Sequence, residues 1–126
     1  MGDAETITRA FIAAYAADDR SGARALLADD VVGFVTNAEA GVDEVVGGDA
    51  YMDRLPPLDD AELRIDVTQS VTVAPGQALT MVQVAAERDG NSLRNFSAFL
   101  TRAEGGRLTE IWMVEAQPSS SDEFWS

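Results

Sequence analysis

The chain has 126 residues, and its 22 Asp and Glu against 9 basic residues leave a formal net charge of -13. A balance this acidic repels phosphate backbones and anionic lipids, so neither nucleic acid nor membrane is an expected partner. With no cysteine there is no disulfide framework, and with no histidine the commonest metal ligand is missing, so no metal or other cofactor is expected.

All nine basic residues are arginine. The lysine-free, acidic composition fits a high-salt habitat or a GC-rich genome at least as well as it fits a cationic ligand. Met1 to Thr6 is polar and acidic, with no basic flank and no long apolar run, so neither a signal peptide nor a membrane span is expected and the placement is cytoplasmic. Residues 1–126 are expected to form one domain with a core large enough to hold a pocket.

In chain order, Ile7, Phe11 and Ala14, with Ile12 and Tyr15 beside them, recur at helical spacing from Ala4 to about Asp18. Asp3 is placed to cap this helix, and Glu5 sits in its first turn, where a negative charge suits the helix dipole. A second helix is expected from Ser21, as its cap, to about Ala28. Asp29 and Asp30 are expected to end it, and Val31 to Thr36 reads as a strand. Asn37 to Gly48 is a loop or a short hairpin with Val42, Val45 and Val46 pointing inward. Asp49 is a candidate cap for a short third helix through Leu55, which Pro56 and Pro57 terminate.

Glu62 to Val73 alternates as a long strand, and Ala74-Pro75-Gly76 turns the chain into a second, Leu79 to Glu87. Asp89-Gly90 is a two-residue hairpin signal. It leads into the stretch that organises the chain, Asn91 to Ala116, two long strands that alternate along Leu93 to Thr101 and Leu108 to Glu115 and are joined at Glu104-Gly105-Gly106. Period-2 alternation puts Leu93, Asn95, Ser97, Phe99, Ile111, Met113 and Glu115 on one face of this pair. Phe96, Ala98, Leu100, Trp112 and Val114 lie on the other. A sheet apolar on both faces must be covered on both, by its own helices on one side and by a second copy of the chain, around Trp112, on the other. Pro118 to Ser126 reads as a polar tail that Phe124 and Trp125 fold back onto the body.

Helices first and strands last describe an α+β domain, with a curved antiparallel sheet wrapped around about three N-terminal helices. Several phrases in this order resemble the nuclear transport factor 2-like superfamily, the cystatin-like cone fold that includes SnoaL-like cyclases and ketosteroid isomerases. They are Ala16-Ala17-Asp18-Asp19, Leu27-Ala28-Asp29-Asp30-Val31-Val32, Gly48 before the third helix, Leu63 to Gln69, and Gly105-Gly106-Arg107-Leu108-Thr109-Glu110-Ile111-Trp112. The resemblance implies a cone with a cavity between the concave sheet face and the first helix. It does not carry the isomerase machinery, because the tyrosine donor of that enzyme falls on Phe11, its base on Val35 and its protonated aspartic acid on Ser97. The epoxide hydrolases of the fold use an Arg and an Asp on a middle strand and an Asp on the last. Here those places hold Gln83, among Val82, Val84 and Ala85, and Met113. Dehydratases built on a histidine are excluded by the composition.

What remains is a mostly apolar cavity for a small hydrophobic ligand, lined by Phe11, Tyr15, Val35, Asn37, Asn95, Ser97, Phe99 and Met113. Glu115 is the one carboxylate among them and the candidate proton-transfer group, with Asn95 or Tyr15 to hold a ligand oxygen. Such a protein is a binder or a cofactor-free isomerase, cyclase or hydrolase. The alternative is a non-catalytic dimeric interaction or assembly module whose cone is filled by its own side chains.

Overall fold

The computed structural model describes residues 3–126, with the element order α1 (Ala4–Ala16), α2 (Arg20–Ala25), β1 (Leu27–Thr36), β2 (Val42–Val46), α3 (Gly48–Arg54), β3 (Glu62–Ala74), β4 (Gln77–Arg88), β5 (Asn91–Glu104), β6 (Arg107–Glu115) and α4 (Pro118–Trp125). Six strands form one sheet in the order β2-β1-β6-β5-β4-β3. Every neighbouring pair is antiparallel except β1 and β6, which run parallel. The expected α+β cone is thus observed, closed by one parallel contact between the first and last strands.

Two-residue turns set the registers. Asp89-Gly90 and Gly105-Gly106 both take positive φ at each position, the conformation in which a tight hairpin matches the twist of its strands. Register shifts interrupt the ladders between Val67 and Gln69, Thr72 and Ala74, and Arg102 and Ala103. Each such irregularity bends a strand, and together they curl the sheet around α1.

Helix α1 is capped as its sequence indicates, the Thr6 amide donating to Asp3 Oδ1 at 2.8 Å. Its buried side, Ile7, Thr8, Phe11 and Ile12, faces the concave sheet. There the hydroxyls of Thr8 and Thr101 share a buried 2.8 Å hydrogen bond, so a polar atom on each element is satisfied without water. The core gathers Ile7, Phe11, Leu27, Val31, Val35, Tyr51, Val82, Phe99, Leu108 and Ile111.

Four expectations are corrected. Helix α2 ends at Ala25, and its cap is Asp19, which accepts from the Gly22 amide at 2.9 Å, not Ser21. β1 therefore begins at Leu27, where the Leu108 amide donates to Leu26 O at 2.8 Å and ties the chain to β6. A bond across 82 positions of sequence overrides the local stop signal of Asp29-Asp30. In β2 only Val45 packs against the core; Val42 and Val46 are 54% and 60% exposed because the strand alternates. Helix α3 starts from Gly47, whose φ is 107, without a side-chain cap, since Asp49 falls inside its first turn, where the carboxylate pairs with Arg24 Nε at 2.8 Å.

The C-terminal residues form a helix, α4, where a polar tail was expected. They do fold back, since Arg88 donates to Phe124 O at 2.8 Å and its guanidinium lies 5.5 and 5.7 Å from the ring centroids of Phe124 and Trp125. No helix among the described residues is long and apolar enough to cross a membrane.

Candidate functional site

Curvature leaves a hollow of about 500 Å³ between the concave face of the sheet, α1, α3 and α4. Alternation along β5 supplies its floor: Leu93, Asn95, Ser97 and Phe99 are buried, while Arg94 and Phe96 between them point outward. Val82, Val84 and Ile65 continue the apolar wall on β4 and β3, and Phe11, Ile12 and Tyr15 close it from α1. Helix α4 covers one side with Pro118, Ser121, Asp122 and Trp125, although none of its residues is buried.

Glu115, the last residue of β6, is half-buried in this wall. Its Oε2 accepts from Asn95 Nδ2 at 3.1 Å. Burial raises its carboxyl above the usual range, against smaller opposing pulls from the neighbouring Ser121 hydroxyl and the Arg54 charge. A carboxyl so placed exchanges a proton more readily near neutral pH than an exposed one does.

Asn95 is 2% exposed, and its amide is fully engaged. Besides Glu115 it donates to Gln117 O at 3.3 Å, and its Oδ1 accepts from the amides of Phe96 at 2.9 Å and Gln117 at 3.0 Å. It therefore positions Glu115 and the exit of β6, with no donor left for a ligand. Tyr15 likewise has its proton committed, to Pro56 O, and burial pushes the phenol up to about 12. Asn37 braces its own loop, accepting from Glu39 and Gly41 and donating to Asp43 at 3.0 Å. Intramolecular partners thus already use the donors of both Asn95 and Tyr15.

Phe11, Phe99 and Met113 line the hollow as apolar surface, and Ser97 contributes a hydroxyl that makes no hydrogen bond among the described residues. Val35, 1% exposed, is packed into the core and does not line the hollow, since its inward side is occupied by neighbouring core residues.

Tyr51 of α3 went unnoticed in the sequence, yet it is the most deeply placed polar group of the site. It is 0% exposed, it lines the hollow, and its hydroxyl is buried with no hydrogen-bond partner among the described residues. Its ring lies against Gly33 of β1, where an added Cβ would stand 2.4 Å from two ring carbons, so glycine there makes room for it. The phenol is raised by burial, which leaves it a neutral donor. Arg54, one helical turn on, pairs with Asp43 at 3.2 Å, and the Asn37 hydrogen bond, followed by this pairing, holds that carboxyl below the usual range. The only signal available beforehand was helical spacing of Tyr51, Met52 and Leu55, which marks a buried side but not an unpartnered hydroxyl.

The uncharacterised protein Rv0034 of Mycobacterium tuberculosis is 28% identical over 130 residues, spanning 98% of this chain and 96% of that protein. An LEH-like epoxide hydrolase from the same organism has a similar structure, with a TM-score of 0.75 at 17% identity over 94% of this chain and 86% of the other. So has RV0760c of Mycobacterium tuberculosis, solved in complex with estradiol-17β-hemisuccinate, with a TM-score of 0.68 at 20% identity over 85% and 88% of the two chains. At these identities the two structures establish a common fold and nothing finer. A sequence profile of the SnoaL-like domain matches residues 8–111, and with that match over most of its length the chain belongs to the SnoaL-like domain family.

Proposed function

We propose that this chain binds a small hydrophobic molecule in its cone and that Glu115 is the group that exchanges a proton with it. The observation that carries this is the hollow of about 500 Å³ walled by apolar side chains with one desolvated carboxyl among them. Its volume falls in the range of roughly 300–1,000 Å³ common to small-molecule sites, and few polar groups converge on it. An interior module with a filled cone would have no such space. The neighbour solved with estradiol-17β-hemisuccinate adds support, since that protein accepts a ring compound on the same fold.

The chemistry within reach is cofactor-free proton transfer, as in an isomerase, cyclase or hydrolase. Glu115 acts as acid or base, Asn95 orients it, and the hydroxyls of Tyr51 and Ser97, unpartnered among the described residues, are the donors for a ligand oxygen. A second copy of the chain covers the opposite face of the sheet. Phe96, Leu100, Trp112 and Val114 are 58%, 41%, 38% and 52% exposed there, and Phe34 stacks on Trp112 at 3.9 Å, a continuous apolar surface of the kind that marks an interface.

The test begins with mass spectrometry of whatever the purified protein releases on denaturation. Turnover of that compound is expected to fall by about 100-fold or more in Glu115→Gln, the low end of what a positioned acid or base contributes. Affinity of the variant for a neutral ring compound such as estradiol should stay within about threefold of the parent's, which is under 1 kcal/mol. Unchanged turnover removes Glu115 from the chemistry, and failure to bind any neutral ring compound removes the pocket.

A further inference from the structure

The charged groups around the hollow are almost all of one sign. Glu39, Asp43, Asp53, Glu115 and Asp122 line it, against Arg54 alone, and Arg54 is already paired with Asp43 at 3.2 Å. Between low-dielectric walls such a set concentrates a negative potential over the opening, which favours a cation and disfavours an anion. Most of these carboxylates lie at the rim, but Glu115 is half-buried in the wall, where its interaction with a charge is screened least. Asn95 takes one acceptor position of its carboxylate, which has about four, so positions remain for the N–H groups of an ammonium.

A second observation points independently to an occupant. Tyr51, 0% exposed, lines the same hollow, and its hydroxyl has no hydrogen-bond partner among the described residues, whereas a buried hydroxyl is normally satisfied. Its oxygen has lone pairs that can accept an N–H from a bound ammonium.

Building on the pocket reading above, we propose that the ligand class is a lipophilic amine, an apolar ring or chain whose ammonium group pairs with Glu115 while the remainder lies on the Phe11, Phe99 and Met113 surface. The acidic exterior of the chain attracts cations in a general way, and the two effects separate in salt. General attraction is screened within a few ångströms at high ionic strength, whereas a contact pair in the wall is not.

Three probes sharing one ring decide it: 1-naphthylmethylamine, 1-naphthylmethanol and 1-naphthoate, titrated calorimetrically at neutral pH in about 0.5 M sodium chloride to suppress the general term. The amine is expected to bind about tenfold tighter than the alcohol, and the naphthoate weaker than both. In Glu115→Gln the amine should fall to the level of the alcohol, whose own affinity stays put and shows that the pocket is intact. In Asp59→Asn, a change outside the hollow, the tenfold preference should persist. Equal binding of amine and alcohol by the parent protein overturns the amine proposal and leaves the pocket standing. Persistence of the preference in Glu115→Gln also overturns it. Binding of none of the three removes the pocket, and the amine proposal with it.

Discussion

The two faces of the central strands are made of similar apolar residues, yet one encloses a hollow and the other lies bare. On β5 the concave positions Leu93, Asn95, Ser97 and Phe99 are at most 8% exposed, while Phe96 and Leu100 on the convex side are 58% and 41% exposed. Composition alone does not separate the faces. What separates them is cover, since α1, α3 and α4 lie over the concave side and no element among the described residues lies over the convex one. The concave face, bent by its bulges, is not packed solid and keeps space for a ligand. The convex face has apolar area with nothing on it, which is the condition for association with another chain.

Emptying the concave side further should have the largest effect. Tyr51→Ala removes a ring that fills the space over Gly33 and is expected to cost about 3–5 kcal/mol, the range for truncating a buried aromatic residue. Tyr51→Phe removes only the unpartnered hydroxyl and should be neutral or stabilising by up to about 1 kcal/mol in thermal or denaturant unfolding, the reverse of what loss of a satisfied hydroxyl does. A clear loss of stability in Tyr51→Phe would mean that the hydroxyl has a partner after all.

On the convex side, Trp112→Asp places a charge in the proposed dimer contact and breaks the Phe34 stack. Sedimentation equilibrium should show association weakened by about 2–4 kcal/mol, the scale of a central aromatic residue at an interface. A parent protein that is monomeric at high concentration ends that half of the comparison.

The smallest expected effect is the pH dependence tied to Glu115. Its carboxyl is raised in the folded chain, chiefly by burial, from an ordinary value of 4.5. The folded state therefore holds that proton more tightly than the unfolded state, and stability from this group is lost as pH rises from 4.5 through the raised value. Glu115→Gln lacks the term, so its stability relative to the parent should improve as pH climbs through that window. A difference that stays constant with pH would show that the carboxyl is solvated as an exposed one is.

Much of the fold was legible because its signals are local and periodic. Alternation along Asn91 to Glu115 assigned each side chain to a face, Asp89-Gly90 and Gly105-Gly106 marked the turns, and Asp3 marked the start of α1. The start of β1 was not legible, since the Leu26 to Leu108 bond that sets it joins distant parts of the chain. The site was legible as a set of neighbours but not as a set of roles. Tyr15, Asn37, Asn95, Ser97 and Glu115 do meet in one hollow. Whether each has a free donor depends on Pro56, Gly41, Asp43 and Gln117, which no spacing rule connects to them.

From residues alone came the order of helices and strands, the two-faced hairpin and the single carboxyl on its inner side, because side-chain parity and turn chemistry are properties of short segments. The folded chain alone decided that Asn95 serves Glu115, that Gly33 admits the ring of Tyr51 and leaves its hydroxyl without a partner, and that α4 closes one wall. Those outcomes depend on which groups from remote segments reach one another first, and hydrogen-bonding capacity spent on one partner is no longer available to a ligand.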